Sequence, residues 1–250
     1  MSILTRCWRV AATASLVVLP SLCAPSAQAS VVVTGTRVIY PADAREVTVR
    51  LTNQDNFPNA VQAWIDVDDP ASTPADADAP FVVNPAISRL APGSGQRLRI
   101  MFTGAALPQD RESLFHLNVL QIPPMNASTA DRNQMLLLMR NRLKLFYRPQ
   151  GMAGSPEQLA ERLQFVLVPS GQQWHVRVDN PTGFHASFGG ATLRIGEQQW
   201  TLKAAMVAPK SSAQWVPQSP SALPGGEPVL QAQLINDYGA RLDLRHVLPR

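Results

Sequence analysis

The stretch MLLLMRNRLKLFYRP, residues 135–149, decides how this chain is read. Met135 through Met139 is apolar at every position. From Arg140 onward polar and apolar residues alternate, with Arg140, Arg142 and Lys144 on one parity and Leu143, Leu145 and Tyr147 on the other. Successive side chains of a strand point to opposite faces, so the second half reads as an ordinary amphipathic strand and the first half as one that is apolar on both sides. Something must cover that second face. A central strand enclosed on both sides by its own domain is one answer, and the residues alone leave it open. Parity adds a difficulty, because Met135, Leu137 and Met139 share odd numbering with Leu143 and Leu145, which look core-facing. A bulge or strong twist near Arg140–Asn141 would reconcile them.

Around this segment lie short β-type runs punctuated by Pro, Gly, Asn and Asp: Thr36–Tyr40, Glu46–Leu51, Val61–Val67, Gln96–Phe102 and Leu114–Ile122 before it. After it come Leu163–Val168, Trp174–Val178, Ala191–Ile195, Gln198–Leu202, Val229–Ile235 and Arg241–Val247, with hairpin turns expected at Ser170-Gly171, Gly196-Glu197 and Asp237-Tyr238-Gly239. Such spacing predicts antiparallel sandwiches. Arg148-Pro149-Gln150-Gly151 breaks the pattern, and Ser155-Pro156-Glu157-Gln158 offers a cap, a first-turn proline and an early acid for one or two helical turns. The expected organisation is two sandwiches joined near residues 149–156, the first over residues 30–150 and the second over 151–250. No short fixed period marks a solenoid or propeller.

The first 29 residues read as an export signal: Arg6 and Arg9, an apolar run from Val10 to Leu19 too short to span a bilayer, and Ala27-Gln28-Ala29 as the cleavage site. Both cysteines, Cys7 and Cys23, fall inside it, so neither a disulfide framework nor thiol chemistry is expected afterwards. Of 250 residues, 221 remain, and losing Arg6 and Arg9 from a net charge of +4 leaves +2, too weak a bias to argue for nucleic acid. The product is expected in the periplasm or outside the cell.

Signals for chemistry are thin. His116, His175, His185 and His246 lack the spacing of a zinc site, so no metal is implied. The hydrolase elbow G-x-S-x-G is absent, and Gly93-Ser94-Gly95 reads as a turn. Asp66, Asp68 and Asp69 resemble an acidic cluster but lack the glycine and distal glutamate of a calcium loop. Gly189-Gly190 and Gly225-Gly226 are followed by no phosphate-loop lysine, and Asn126-Ala127-Ser128 matches a glycosylation acceptor only formally. No catalytic residue, cofactor or small-molecule substrate is indicated, and the chain is read as a non-enzyme.

Three stretches together change the picture: GTRVIYPADAREVTVRLTN from Gly35, LPQDRESLFHLNVLQIPP from Leu107 and NRLKLFYRP from Asn141. They resemble the periplasmic chaperones of chaperone–usher pilus assembly, of which the P-pilus and type 1 pilus chaperones are the best known. The resemblance runs over essentially the whole chain after residue 29, thinner in the second half, where INDYG from Ile235 is the best piece. His116 departs from the aromatic or threonine usual there. The residues Pro124–Gln134, short and without cysteine, resemble the short-loop subgroup.

The resemblance implies an all-β fold of two immunoglobulin-like sandwiches in an L or boomerang arrangement. It also answers the opening question: in these chaperones the last strand of the first domain lends alternate apolar side chains to a pilus subunit lacking its own final strand. By position Met135, Leu137 and Met139 would be the donors, Arg37 and Lys144 the pair gripping the subunit's terminal carboxylate, and Glu112, Arg148 and Asp237 a charge network fixing the interdomain angle. Implied partners are pilus or fimbrial subunits and the outer-membrane usher, with self-association through the exposed strand as a further expectation. Two other readings stand beside this one. A secreted adhesin or fibre component would need a surface ligand site and a self-complementary strand, and a hydrolase on a sandwich scaffold would need a nucleophile.

Overall fold

The computed structural model describes residues 30–124, 135–171, 173–219 and 225–249. The export signal, Cys7, Cys23, the Asn126-Ala127-Ser128 triplet and most of the Pro124–Gln134 loop lie outside the described residues.

Among the described residues the first domain contains nine strands: β1 (Val31–Val33), β2 (Arg37–Pro41), β3 (Val47–Asn53), β4 (Asn59–Asp66), β5 (Phe81–Asn84), β6 (Ile87–Leu90), β7 (Gly95–Phe102), β8 (Ser113–Ile122) and β9 (Met139–Arg148). One sheet has the order β1-β3-β7-β5 and the facing sheet the order β2-β9-β8-β4-β6. Alternation makes the sandwich: in β3, Val49, Leu51 and Asn53 are buried while Thr48 and Arg50 face out. Leu51, Leu98, Ile100, Leu117 and Leu145 are fully enclosed between the layers, each stabilising by about 1.5–3 kcal/mol relative to exposure. A 3₁₀ turn (Pro156–Gln158) and α1 (Leu159–Arg162) come next, at the place the sequence marks for helix.

The second domain has β10 (Gln164–Ser170), β11 (Gln173–Asn180), β12 (Ser187–Ile195), β13 (Gln198–Leu202), β14 (Ser211–Trp215), β15 (Pro228–Ile235) and β16 (Arg241–Val247). Its sheets run β10-β11-β14 and β13-β12-β15-β16. Trp174, Val176, Val178 and Asn180 of β11 point inward and Gln173, Arg177 and their neighbours outward, and the core closes on Trp215, Leu193 and Leu230.

Both domains carry the same internal clamp. Asn53 Nδ2 donates to the carbonyls of Phe57, Leu90 and Ala91, and Asn180 Nδ2 to those of Phe184, Val207 and Ala208. Each asparagine ends a strand, ties the adjoining turn to a distant one and is buried. A buried amide is tolerable only when so satisfied.

Two features of the first domain shape the surface around β9. The chain leaves β1 in one sheet and enters β2 in the other across Thr34–Thr36, where Gly35 has φ of 89°, a conformation nearly free of cost only without a Cβ. Second, β8 pairs with β9 in one unbroken register from Ser113↔Tyr147 to Gln121↔Met139. The bulge expected near Arg140–Asn141 is therefore absent. Odd-numbered side chains of β9 stay on one face throughout; the core ends at Leu143, and Met139 continues past it into solvent. The strand also starts at Met139, so residues 135–138 lie before β9 and have no ladder partner among the described residues.

Candidate functional site

The even-numbered face of β9 builds the site. β2 pairs with β9 in parallel from Arg37↔Lys144 to Pro41↔Arg148, so Arg37 and Lys144 are direct neighbours, as are Ile39 and Phe146. Like charges side by side repel, and burial makes each costlier to keep charged. Burial, and then Arg37, pushes the Lys144 pKa down; burial pushes Arg37 down, with Asp237 and Glu112 opposing it. Neither makes an ion pair within 4 Å among the described residues. Their bonds are neutral: Arg37 Nη1 donates to the Ile235 carbonyl at 3.0 Å, and Lys144 Nζ to Ser187 Oγ at 3.3 Å. Arg37 stacks over the Phe146 ring at 6.0 Å, while its Nε is buried without a partner. Two cations without an ion-pair partner and with spare donors fit an anion that can use a fork and a point charge together, as a carboxylate does.

Beside this pair lies a cleft of about 280 Å³, lined among others by Arg37, Glu112, Phe146, Arg148, Ile235 and Asp237. At its far wall Arg148 bridges two acids. Its Nε donates to Glu112 Oε1 at 2.8 Å, and its two terminal nitrogens donate to the two Asp237 oxygens at 2.7 and 3.1 Å. Glu112 Oε2 accepts from the His185 backbone N–H at 2.7 Å and lies 3.2 Å from His185 Nδ1. Burial works against the Glu112 charge, but the His185 and Arg148 bonds outweigh it and hold its pKa below the ordinary value. Asp237 sits in the Asn236–Ala240 turn, closed by Asn236 N–H to the Ala240 carbonyl. There Gly239 has φ of 82° and an added methyl would run into Thr36 Oγ1. The first-domain loop before β2 and the β15–β16 turn therefore touch with no room for a side chain.

Below the charged pair the ladder is incomplete. β2 covers β9 only from Lys144 onward, so from Met139 to Leu143 strand β9 has β8 on one side and no strand on the other among the described residues. The apolar residues preceding it are open to solvent: Met135 is 94%, Leu137 71% and Met139 50% exposed, and Leu136 and Leu138 are about half exposed. The central, doubly covered strand that the residues also allow is thus excluded. The three apolar residues, the open edge of β9 and the cation pair where β2 joins it follow one another along the chain from Met135 to Lys144.

The structure also reveals a buried polar group within the acidic cluster that the sequence marks only as an incomplete calcium loop. Asp66, fully buried at the end of β4, accepts from Arg142 at 2.6 Å, from Ser72 Oγ at 3.0 Å and from Asn118 Nδ2. Burial opposes its charge, and these bonds overcome it, lowering its pKa. His116, with Nδ1 3.3 Å from the Val67 carbonyl, is pushed down by burial and by Arg142. The signal is present as three acids at and just after the end of β4 and a histidine within β8, but nothing local says which strand answers them.

Comparison with known proteins places the chain. Residues 30–153 match the family model described as pili and flagellar-assembly chaperone, PapD N-terminal domain, and residues 158–246 that described as pili assembly chaperone PapD, C-terminal domain. The chain is 41% identical over 223 residues to the chaperone protein HifB of Haemophilus influenzae, covering 88% of each. It is 43% identical over 178 residues to the chaperone protein FimB/FhaD of Bordetella pertussis, covering 70% of this chain and 71% of that one. Among solved structures, the YadV chaperone superposes with a TM-score of 0.76 at 33% identity, covering 88% of this chain and 100% of that one. A chain from the Salmonella enterica SafA pilin in complex with the SafB chaperone gives 0.71 at 29%, covering 89% and 98%. By fold this is a two-domain immunoglobulin-like β-sandwich protein. The chain belongs to the PapD family of pilus-assembly chaperones.

Proposed function

We propose that this protein is a periplasmic, non-enzymatic chaperone that binds pilus or fimbrial subunits by strand donation and passes them to an outer-membrane usher. The observation that carries the reading is the succession of exposed apolar residues at Met135–Met139, the open β9 edge at Met139–Leu143 and, at its end, the Arg37–Lys144 pair, which has no ion-pair partner among the described residues. A subunit tail with its carboxylate at Arg37 and Lys144, lying along the open edge toward Met139, must run parallel to β9, in line with β2. Ladder bonds would fix its direction, and the charged pair its register. Covering an exposed apolar side chain is worth about 1.5–3 kcal/mol. With Met139 already half covered, Met135, Leu137 and Met139 together supply about 4–7 kcal/mol before ordering costs. Methionines at two of the three positions suit a surface that accepts several different subunits.

In this reading Glu112, Arg148 and Asp237 hold the two domains at the angle that keeps the cleft open, residues 1–29 are the export signal, and 30–150 and 151–250 are the functional domains. Support for the periplasm comes from the leader and from the 30% identical relative whose structure is titled the periplasmic chaperone SfaE. An adhesin or fibre component is not favoured, since the relatives named above are chaperones. The test is co-expression with a candidate pilin and recovery of the complex from the periplasm. Arg37→Ala or Lys144→Ala should cut recovery at least about tenfold, in line with removing one member of a partly buried charged contact. Recovery at parental levels from both variants overturns the anchoring role.

A further inference from the structure

The first five residues of β9 lack what normally holds a strand. They have one ladder neighbour instead of two among the described residues, and Met139 and Asn141 have no sandwich core beneath them. Yet this piece is ordered against β8 as far as Met139↔Gln121. Two arginine side chains from its outer face account for the difference.

Arg140 lies across three strands. Its Nε donates to Asn118 Oδ1 of β8 at 2.9 Å, Nη1 to the Ser72 carbonyl at 3.2 Å and Nη2 to the Pro70 carbonyl at 2.8 Å. Its guanidinium sits 5.2 Å from the centre of the Trp64 ring of β4, and Trp64 Nε1 in turn donates to Ser72 Oγ at 3.0 Å. Two positions on, Arg142 reaches Asp66. The loop that receives them, residues 67–80, is itself pinned. Asp69 N–H donates to Asp66 Oδ1, Ala71 N–H to Asp69 Oδ1 and Val67 N–H to Asp78 Oδ1. The acceptors of Arg140 are therefore fixed before it arrives, which is what lets three modest bonds and a ring contact hold a strand end.

We propose that Arg140, with Arg142 and Asp66 behind it, is a positioning residue for strand donation. It splints the one-sided start of β9 to the 67–80 loop, so that Met135–Met139 leave the domain in a fixed direction and register. Arg140 touches the subunit nowhere in this account and acts by lowering the ordering cost of binding. The inference rests on the strand-donation reading above. It extends the functional surface to a loop on the opposite side of β8, which the resemblance and the charged pair do not include.

The experiment uses the protein without its leader, in which no cysteine remains, and a candidate pilin. Three single variants, Arg140→Ala, Arg140→Lys and Leu137→Asp, and one double variant are compared. Arg140→Ala should weaken the complex about tenfold, the effect of freeing one strand end to sample other directions, while thermal unfolding of the free protein moves little and amide exchange at residues 139–142 becomes faster. Arg140→Lys, which keeps the charge and loses the fork, should behave like Arg140→Ala. The double variant Leu120→Cys with Arg140→Cys replaces the splint by a disulfide at a directly opposed pair of the β8–β9 register, within bridging distance for opposed strand residues. Once oxidised it should restore affinity, and once reduced lose it again. Parental affinity in Arg140→Ala overturns the proposal, as does a disulfide that forms without restoring affinity, because the guanidinium would then be contacting the subunit. Leu137→Asp separates the two levels: if it abolishes binding while Arg140→Ala does not, the splint alone is wrong, and if neither matters, strand donation itself is wrong.

Discussion

Truncating Arg148 to alanine tests whether burial or bond count sets the strength of the network around the cleft. By bond count Asp237 is the stronger partner, since both its oxygens are engaged. By burial it is Glu112, whose side chain is 2% exposed against 30% for Asp237. Removing one member of a buried pair costs about 3–5 kcal/mol because the other charge is stranded in a poor solvent. Glu112 would keep its His185 bonds, so the Glu112 end should cost about 2–4 kcal/mol. The Asp237 end, open to water, should add about 0.5–1 kcal/mol. A double-mutant cycle in urea, using Arg148→Ala with Glu112→Gln and separately with Asp237→Asn, reads both couplings. The Glu112 coupling should be at least about twice the Asp237 one. If Arg148→Ala falls within about 0.5 kcal/mol of the parent, or the two couplings are equal, the burial argument is wrong.

Leu137→Asp should leave the melting temperature of the free protein nearly unchanged, since that side chain is already in water, while abolishing recovery of a subunit complex; a variant that still binds contradicts the donor assignment. Asp66, Glu112 and His116 all have pKa values below their ordinary ones, so each contributes stability that is present at neutral pH and is lost as pH falls through the depressed folded values. Urea midpoints should therefore fall from neutral pH toward pH of about 3, and Asp66→Asn should flatten that slope while lowering the midpoint at neutral pH. Gly239→Ala should destabilise by about 1–3 kcal/mol, from the positive φ together with the collision with Thr36. Thr36→Ala should recover only the steric part, and full recovery would show that the backbone is unstrained there.

Much of the fold was legible because alternation is a local property. Strands such as Gln198–Leu202 and Arg241–Val247 coincide with the runs read from sequence, and most others differ by a residue or two at their ends, while β12 starts four residues before the Ala191–Ile195 run and β9 four residues after Met135. Val31–Val33, Phe81–Asn84, Ile87–Leu90 and Ser211–Trp215 did not stand out, for a physical reason: three to five residues hold barely two alternations, and SSAQW has no β-branched residue to mark it. For the site, Arg37, Lys144, Glu112, Arg148 and Asp237 were named through family resemblance. Taken singly each reads as a solvated charge or a turn former, since only the sheet register brings Arg37 against Lys144 and only the packing of the two domains brings Asp237 to Arg148. The Asp66–Arg142 pair and the Arg140 contacts were missed because they cross the outer face of a sheet between strands far apart in sequence. The parity puzzle has a plain answer that periodicity could not supply: facing is constant along β9, and what changes is whether anything lies opposite.

Strand β9 and the residues that lead into it therefore divide their labour along the chain. At Leu143, Leu145 and Tyr147 a change of side chain is paid in folding, because those residues fill the sandwich. From Met135 to Met139 a change costs the free protein almost nothing. Selection acting on the partner alone can rewrite that half, which leaves a chaperone free to drift with its subunits' grooves while its own scaffold stands still.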